Sequence, residues 1–290
     1  MKRRIGIMGG SGLYEMDGLK DIESNEVKTP FGDPSDEIIT GTLKGVGLAF
    51  LPRHGKGHRI LPSEINYRAN VYALKLLGVD TIIGLSAVGS MKDEIKPGDL
   101  VVPHQFIDRT RGRSSTFFGD GIVAHIPFAD PVCLSLADLL AESVQAEGVT
   151  VHRGGTYICM EGPQFSTRAE SNLYRSWGVD VIGMTNIPEA KLAREAEICY
   201  STVALATDYD CWHETEEDVS VEAILQIMRH NVEAARKVVA RAVGQMDTRE
   251  PCTCHETLKF AIVTAHDQIP EKTRAALEPI IGKYLGSSPN

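Results

Sequence analysis

No run of apolar residues in this 290-residue chain approaches the ~20 that a membrane span needs. The start, Met1-Lys2-Arg3-Arg4-Ile5-Gly6-Ile7-Met8, is basic, but its apolar part stops at Gly9-Gly10 and no small-residue cleavage pattern follows. It reads as a first strand, not a secretion signal, and a cytoplasmic protein with no membrane partner is expected. Positive charge is scarce. Lys and Arg number 30 against 39 Asp and Glu, and the net charge of −9 argues against nucleic acid as a partner. Zinc-type spacing is also missing. Cys133, Cys159, Cys199, Cys211, Cys252 and Cys254 include no Cys-x-x-Cys pair, so no metal site is expected. Cys252-Thr253-Cys254 is the one close pair; it reads as two thiols in a reducing cytosol, with a disulfide, inside the pair or to a neighbouring segment, as the sharper alternative.

The glycine-rich turns fail the nucleotide and hydrolase patterns. Gly9-Gly10-Ser11-Gly12 follows the first strand, but Glu15 stands where a dinucleotide fingerprint needs its third glycine. No Gly-Lys-Ser/Thr follows, which excludes a Walker loop, and Ser11 lacks the glycine two residues on that a nucleophile elbow requires. There is no internal repeat.

What the chain does have is alternation. Strand-like runs at 5–8, 47–51, 81–85, 100–102, 156–160, 179–183 and 199–206 are interleaved with helix-like stretches. Ser63–Leu77 begins at a Ser cap and carries Ile65, Ala69, Tyr72, Ala73 and Leu76 on one face. Thr167–Trp177, Pro188–Ile198 and the long Val219–Val243 follow, with a connector over 246–256 and a last helix near Lys272–Leu285. With 42% hydrophobic residues the chain can bury one large core. The expectation is a single α/β domain: a mixed central β-sheet flanked by helices on both faces.

Asp208 and Asp210 close the apolar run at 199–207, at the carboxyl edge of the predicted sheet where α/β folds bind ligands. Alternation along an extended segment would point both the same way, onto one ligand that donates hydrogen bonds to them. An adenine-like ring, with an amine beside a ring nitrogen, is such a ligand. Three anion-friendly turns lie at three other predicted strand ends: Ser11, Arg53-His54, and Ser86-Ala87 in a turn that runs to Ser90. The guanidinium fork of Arg53 suits phosphate oxygens, and His54 would add a donor. Together the three would enclose one phosphate.

These residues carry a resemblance. Gly9-Gly10-Ser11-Gly12-Leu13, Pro52-Arg53-His54-Gly55, Asn66-Tyr67-Arg68-Ala69-Asn70, the run from Glu161 to Glu170, and Gly183-Met184-Thr185-Asn186 closely resemble the trimeric purine nucleoside phosphorylases. Pro188-Glu189-Ala190-Lys191-Leu192-Ala193-Arg194-Glu195 with Thr207-Asp208-Tyr209-Asp210-Cys211-Trp212 resembles the branch that cleaves 5′-methylthioadenosine. The likeness runs from about residue 4 to about 245. It implies a purine nucleoside phosphorylase-like fold and phosphorolysis, in which phosphate attacks C1′ through an oxocarbenium-like transition state and adenine leaves. Phosphate is a co-substrate and no cofactor is implied.

By that resemblance Ser11, Arg53, His54, Ser86, Thr185 and the Ala87 backbone hold phosphate. Met184 lies under the ribose and Phe165 packs on the purine. Asp208 protonates N7 and Asp210 accepts from the exocyclic amine, an acceptor that disfavours 6-oxopurines. Val221 and Ile224 leave an apolar pocket for the methylthio group, with His58 nearby and His125 contributed by a neighbouring subunit of a trimer or hexamer. Because apolar pockets discriminate by only ~1–3 kcal/mol per methylene-sized change, use of adenosine as well stays open. Methylthioinosine cleavage, a nucleosidase using water, and a non-catalytic purine-nucleoside sensor are the other readings.

Overall fold

A computed structural model describes residues 4–10, 12–213, 221–246 and 252–286, with 221–226 and 228–230 described by their backbone alone. The described strands are β1 (Arg4–Gly9), β2 (Lys20–Asn25), β3 (Ile38–Leu43), β4 (Val46–Pro52), β5 (Val79–Ser90), β6 (Leu100–Val102), β7 (Gln105–Arg109), β8 (Val151–Arg153), β9 (Thr156–Met160), β10 (Val181–Gly183) and β11 (Cys199–Asp208). The helices are α1 (Tyr67–Leu76), α2 (Leu134–Ala146), α3 (Arg168–Ser176), α4 (Asn186–Glu195), α5 (Val221–Gln245) and α6 (Glu271–Leu285).

All the strands join one mixed sheet organised by β5. On one edge β5 pairs in parallel with β1 as far as Gly84, after which β10 joins antiparallel at Gly89 and Ser90. On its other edge it pairs in parallel with β11 from Thr81 to Gly89. β4, β3 and β2 extend the sheet beyond β1, β9 and β7 extend it beyond β10, and β6 and β8 extend it beyond β11. β5 and β11 are buried almost throughout because helices cover both faces. Leu74 of α1, Leu192 of α4 and Ile281 of α6 share one core cluster. Leu140 of α2 and Val239 of α5 share the other. The expected layering is present. No helix among the described residues is long and apolar enough to cross a membrane.

Several local expectations change. The segment Ser86–Ser90 is not a turn. It continues β5, because β11 supplies partners through Gly89 and β10 supplies them at Gly89 and Ser90. Helix α1 starts later than Ser63, with Asn66 as its cap: the Asn66 side chain accepts from the Ala69 N–H. Thr167 does cap α3, in a reciprocal capping box with Glu170. In α4, Ile187 is extended (φ −117°, ψ 129°), so regular helix begins at Pro188, where a missing N–H costs nothing.

Candidate active site

The floor of the site is built from segments of the sheet clamped by Arg53. This side chain follows β4 and is only 2% exposed. Its Nε and Nη2 donate to Glu189 of α4 at 2.7 and 2.9 Å; Nη1 donates to Leu85 O of β5 at 3.0 Å, and Nη2 also to Met8 O of β1 at 3.1 Å. Glu189, wholly buried, also accepts from Tyr200 of β11 at 2.9 Å, and Asn186 donates to that same tyrosine oxygen. Thus four strands and α4 meet at one ion pair. This revises the idea of an open guanidinium fork: four of the five N–H donors of Arg53 are engaged by protein, and one on Nη1 remains.

His54 also differs from expectation. Its Nδ1 lies 2.8 Å from Ile60 O, and a carbonyl can only accept, so Nδ1 carries the proton. Burial, with the charge of Arg53 adding to it, pushes the imidazole down to about 4. At neutral pH the ring is uncharged, and Nε2 is an acceptor where an extra donor was expected. His58 stacks on it with ring centroids 4.2 Å apart, which places both imidazoles in one cluster.

Ser86 is 7% and Thr185 5% exposed, and the Tyr157 hydroxyl lies beside both the Ser86 side chain and the Thr185 backbone. Ser86 Oγ makes no hydrogen bond to the described residues, and Thr185, at the N-cap of α4, makes no side-chain cap bond. Two hydroxyls are therefore unspent above the Arg53 clamp, next to a helix N-terminus that favours anions. Ala87 follows Ser86 on β5, half-buried.

Asp208 and Asp210 do converge, though by a turn rather than by strand alternation. Asp208 ends β11, opposite Gly89. Asp210 takes a left-handed φ of 53°, and its N–H donates to Asp208 Oδ1 at 2.8 Å. Gly89 makes room for the pair, since a Cβ there would meet Asp208 Oδ1 at 3.0 Å and the Cβ of Asp210 at 3.3 Å. Burial raises both carboxyls above the ordinary Asp value; the Asp208 charge raises Asp210 further, against a lowering pull from the Ser171 hydroxyl. Asp210 Oδ2 is buried with no well-formed hydrogen bond among the described residues. Thr207 Oγ1 lies 2.7 Å from Asp208 Oδ2 and 3.2 Å from Val88 O. Its single proton can go to either. It can donate to an ionised Asp208, or donate to Val88 O and accept from a protonated one.

Above the pair runs the segment 161–167. Cys211 Sγ bonds Ser166 O at 3.3 Å and Arg168 donates to Cys211 O at 2.6 Å, which ties this segment to the Asp210 turn. Phe165, 47% exposed, stands beside that link. Arg113, which the sequence reading did not single out, holds the segment from below. Its Nε donates to the Glu161 carboxylate at 3.1 Å, Nη2 to Glu161 O at 2.7 Å, and Nη1 to Tyr67 Oη, Met184 O and Ile187 O. One side chain thus fixes Met184 against the Phe165 segment. Gly162 helps, because a Cβ there would lie 2.5 Å from Met184 Sδ. The only hint of Arg113 is a cluster of three arginines at 109, 111 and 113, which reads as a solvated loop.

Ser11 and the side chains of Val221 and Ile224 lie outside the described residues. His125 is exposed and is not joined to this cluster. Its N–H donates to Ala261 O at 2.9 Å, and it lines a cavity of about 300 Å³ with Arg194, Thr253 and Phe260.

A model of the phosphorylase superfamily matches residues 4–244. The S-methyl-5′-thioadenosine phosphorylase of Geobacter sulfurreducens is 62% identical over 286 residues, covering 98% of this chain and all of the relative. That of Koribacter versatilis is 56% identical, covering 99% and 98%. Among solved structures, a methylthioadenosine phosphorylase from an antarctic soil metagenomic library superposes with a TM-score of 0.93 at 49% identity, over 96% of this chain and 99% of that one. The methylthioadenosine phosphorylase of Schistosoma mansoni, in complex with adenine, gives 0.84 at 37% identity over 93% and 100%.

The clamp leads to a stability test. Glu189→Gln keeps the shape and leaves the Arg53 charge buried without a counter-charge, which should cost about 3–5 kcal/mol in urea unfolding. A loss below about 1 kcal/mol would mean that the pair does not hold the strand ends together.

Proposed function

The chain belongs to the phosphorylase superfamily, and on that premise we propose that it cleaves 5′-methylthioadenosine with inorganic phosphate, giving adenine and 5-methylthioribose 1-phosphate. The observation that carries this reading is the pair of half-buried Asp208 and buried Asp210 on the sheet that also bears the unspent Ser86 hydroxyl. Ser86 and Gly89 lie three residues apart on β5, roughly 10 Å at the rise of an extended strand. That leaves space for a ribosyl unit between an anion at Ser86 and a base at Asp208.

The step follows from this placement. A phosphate oxygen, held by Ser86, Thr185, the Ala87 backbone and Ser11, approaches C1′ from one side. As its bond to C1′ forms, the bond from C1′ to purine N9 breaks and its electrons move into the ring. Asp208, whose proton affinity burial raises, gives its proton to N7, and Thr207 then turns its hydroxyl toward the new carboxylate. Proton donation of this kind is worth ~10²–10⁴-fold. Asp210 Oδ2 accepts from the 6-amino group. Arg53 supplies positive charge from beneath with one remaining N–H, and neutral His54 accepts from a sugar or phosphate hydroxyl. No hydride or single electron is transferred and nothing is oxidised or reduced, so the chemistry calls for phosphate as co-substrate and for no cofactor. Phe165 covers the base and Met184 the ribose; Val221, Ile224 and His58 serve the 5′ end.

His125 fits a role across a subunit boundary. It stands near Phe260, 91% exposed, and Val263, 67% exposed, and Val263 N bonds Val123 O, 48% exposed. Such a surface suits a second copy of the chain, in a homotrimer or a pair of trimers. The setting proposed is cytoplasmic purine and methionine salvage.

Two measurements test this reading. Release of the base from methylthioadenosine should depend on phosphate and exceed that from adenosine, with hypoxanthine release from inosine poorest; release unaffected by phosphate would replace this reading with a nucleosidase. Asp208→Asn should lower kcat by at least ~10²-fold with the fold intact. In the wild type the active form is protonated and its pKa is raised, so kcat should fall as pH climbs through that raised value. Near-normal turnover in the variant would remove Asp208 as the acid.

A further inference from the structure

Cys133, Cys199, Cys252 and Cys254 are scattered over more than a hundred positions, yet the fold gathers their four sulfurs within 4.8 Å of one another. Cys133 is the N-cap of α2, Cys199 is the first residue of β11, and Cys252 and Cys254 flank Thr253 at the start of a short turn, Thr253–Glu256. We propose that these four thiolates form a structural zinc site that fastens the C-terminal segment to the sheet and to α2.

The geometry fits the ion. Zinc bound by four sulfurs at about 2.3 Å sets tetrahedral edges of about 3.8 Å. Cys133 Sγ and Cys252 Sγ stand 3.5 Å apart, and the widest pair needs to close by about 1 Å to meet that edge. Three of the four are buried, Cys199 fully, Cys133 at 3% and Cys254 at 5% exposed, while Cys252 is half-buried at the rim. Donors already face the sulfurs. The Cys254 N–H points at Cys252 Sγ at 3.5 Å, the Ser135 hydroxyl lies 3.4 Å from Cys133 Sγ, and His255 Nε2 lies 3.5 Å from Cys199 Sγ and 3.1 Å from Asp80 O. Asp80 O can only accept, so Nε2 carries a proton, shared between that carbonyl and Cys199 Sγ as a second-sphere contact of the kind that tunes metal thiolates. The complex would carry excess negative charge. The N-terminus of α2, at Cys133, favours that charge, and Arg194 lines the cavity that Thr253 also lines.

Binding is acid–base chemistry without redox. Each S–H proton goes to water as a sulfur–zinc bond forms, and no electrons are exchanged. A pairwise disulfide arrangement is the competing outcome; a bridge inside Cys252-Thr253-Cys254 would close a very short ring against the preferred disulfide geometry. The consequence is mechanical. The segment the ion would anchor continues to Ala261, whose carbonyl accepts from the His125 N–H. Zinc would thus brace the surface that bears His125 and Phe260, away from Asp208.

The test begins with protein purified anaerobically without chelator, measured by elemental analysis. About one zinc per chain is expected, and a chelator should release it as four thiols become reactive and thermal stability falls. Replacement by cobalt in the wild-type protein should give the visible bands of a tetrahedral thiolate complex, a readout that needs no variant to fold. Cys252→Ser with Cys254→Ser should cut zinc content by at least about tenfold while adenine release in the folded fraction persists. Zinc below about a tenth per chain in reduced protein given excess metal, a variant that keeps its zinc, or alkylation mapping that finds these four cysteines already joined as disulfides would each overturn the proposal.

Discussion

The ion pair between Arg53 and Glu189 is the constraint around which the rest is arranged. A guanidinium this deeply buried is tolerable only with a carboxylate against it and its remaining N–H groups satisfied. Both conditions are met by groups from different parts of the chain: Glu189 from α4, Met8 O from β1 and Leu85 O from β5. The charge therefore ties β1 and β5 to α4. Ser86 follows Leu85 on β5, and Thr185 caps α4. Arg113 does for the roof what Arg53 does for the floor, by joining Glu161, Met184 and Ile187.

Between floor and roof, the roles proposed for the two carboxyls depend on their partial removal from water. An exposed Asp would be ionised near neutrality and have no proton to give. Burial at the end of β11 raises the affinity of Asp208 for its proton, and Gly89 provides the space that lets both aspartates lie against β5. Thr207 accommodates either charge state without moving the backbone. The same burial makes Asp210 a demanding partner: its Oδ2 has no well-formed bond of its own, so a base with an amine at this point gains more than one with a carbonyl. In the proposed reaction, acid catalysis and base preference would both arise from this one turn.

Much of this was legible in the sequence, for stated reasons. The central strands announced themselves as apolar runs because both their faces are covered, and Asp208 and Asp210 stood out against such a run. Edge strand β2 is exposed along nearly its whole length and carries no alternating pattern, so it left no signal. Helix α2 has apolar residues at 136, 137, 140, 141 and 144, a helical period that was there to be read. Ser86–Ser90 looked like a turn by composition and became strand because partners lie on both edges. Long-range pairing was out of reach. Nothing local says that Arg53 faces inward to Glu189, that Ile60 fixes the His54 tautomer, that Arg113 reaches Met184, or that four cysteines with no metal-type spacing converge.

In the proposed mechanism, catalysis turns on a proton delivered from Asp208 to N7 of the purine. A methylthioadenosine analogue in which N7 is replaced by C–H probes this step. Such a ring keeps its shape and its amine but has no lone pair to receive the proton. The analogue should bind about as well as the substrate, compete with it, and not be cleaved when phosphate is present. Phosphate-dependent cleavage of the analogue at a rate close to that of methylthioadenosine would contradict the mechanism.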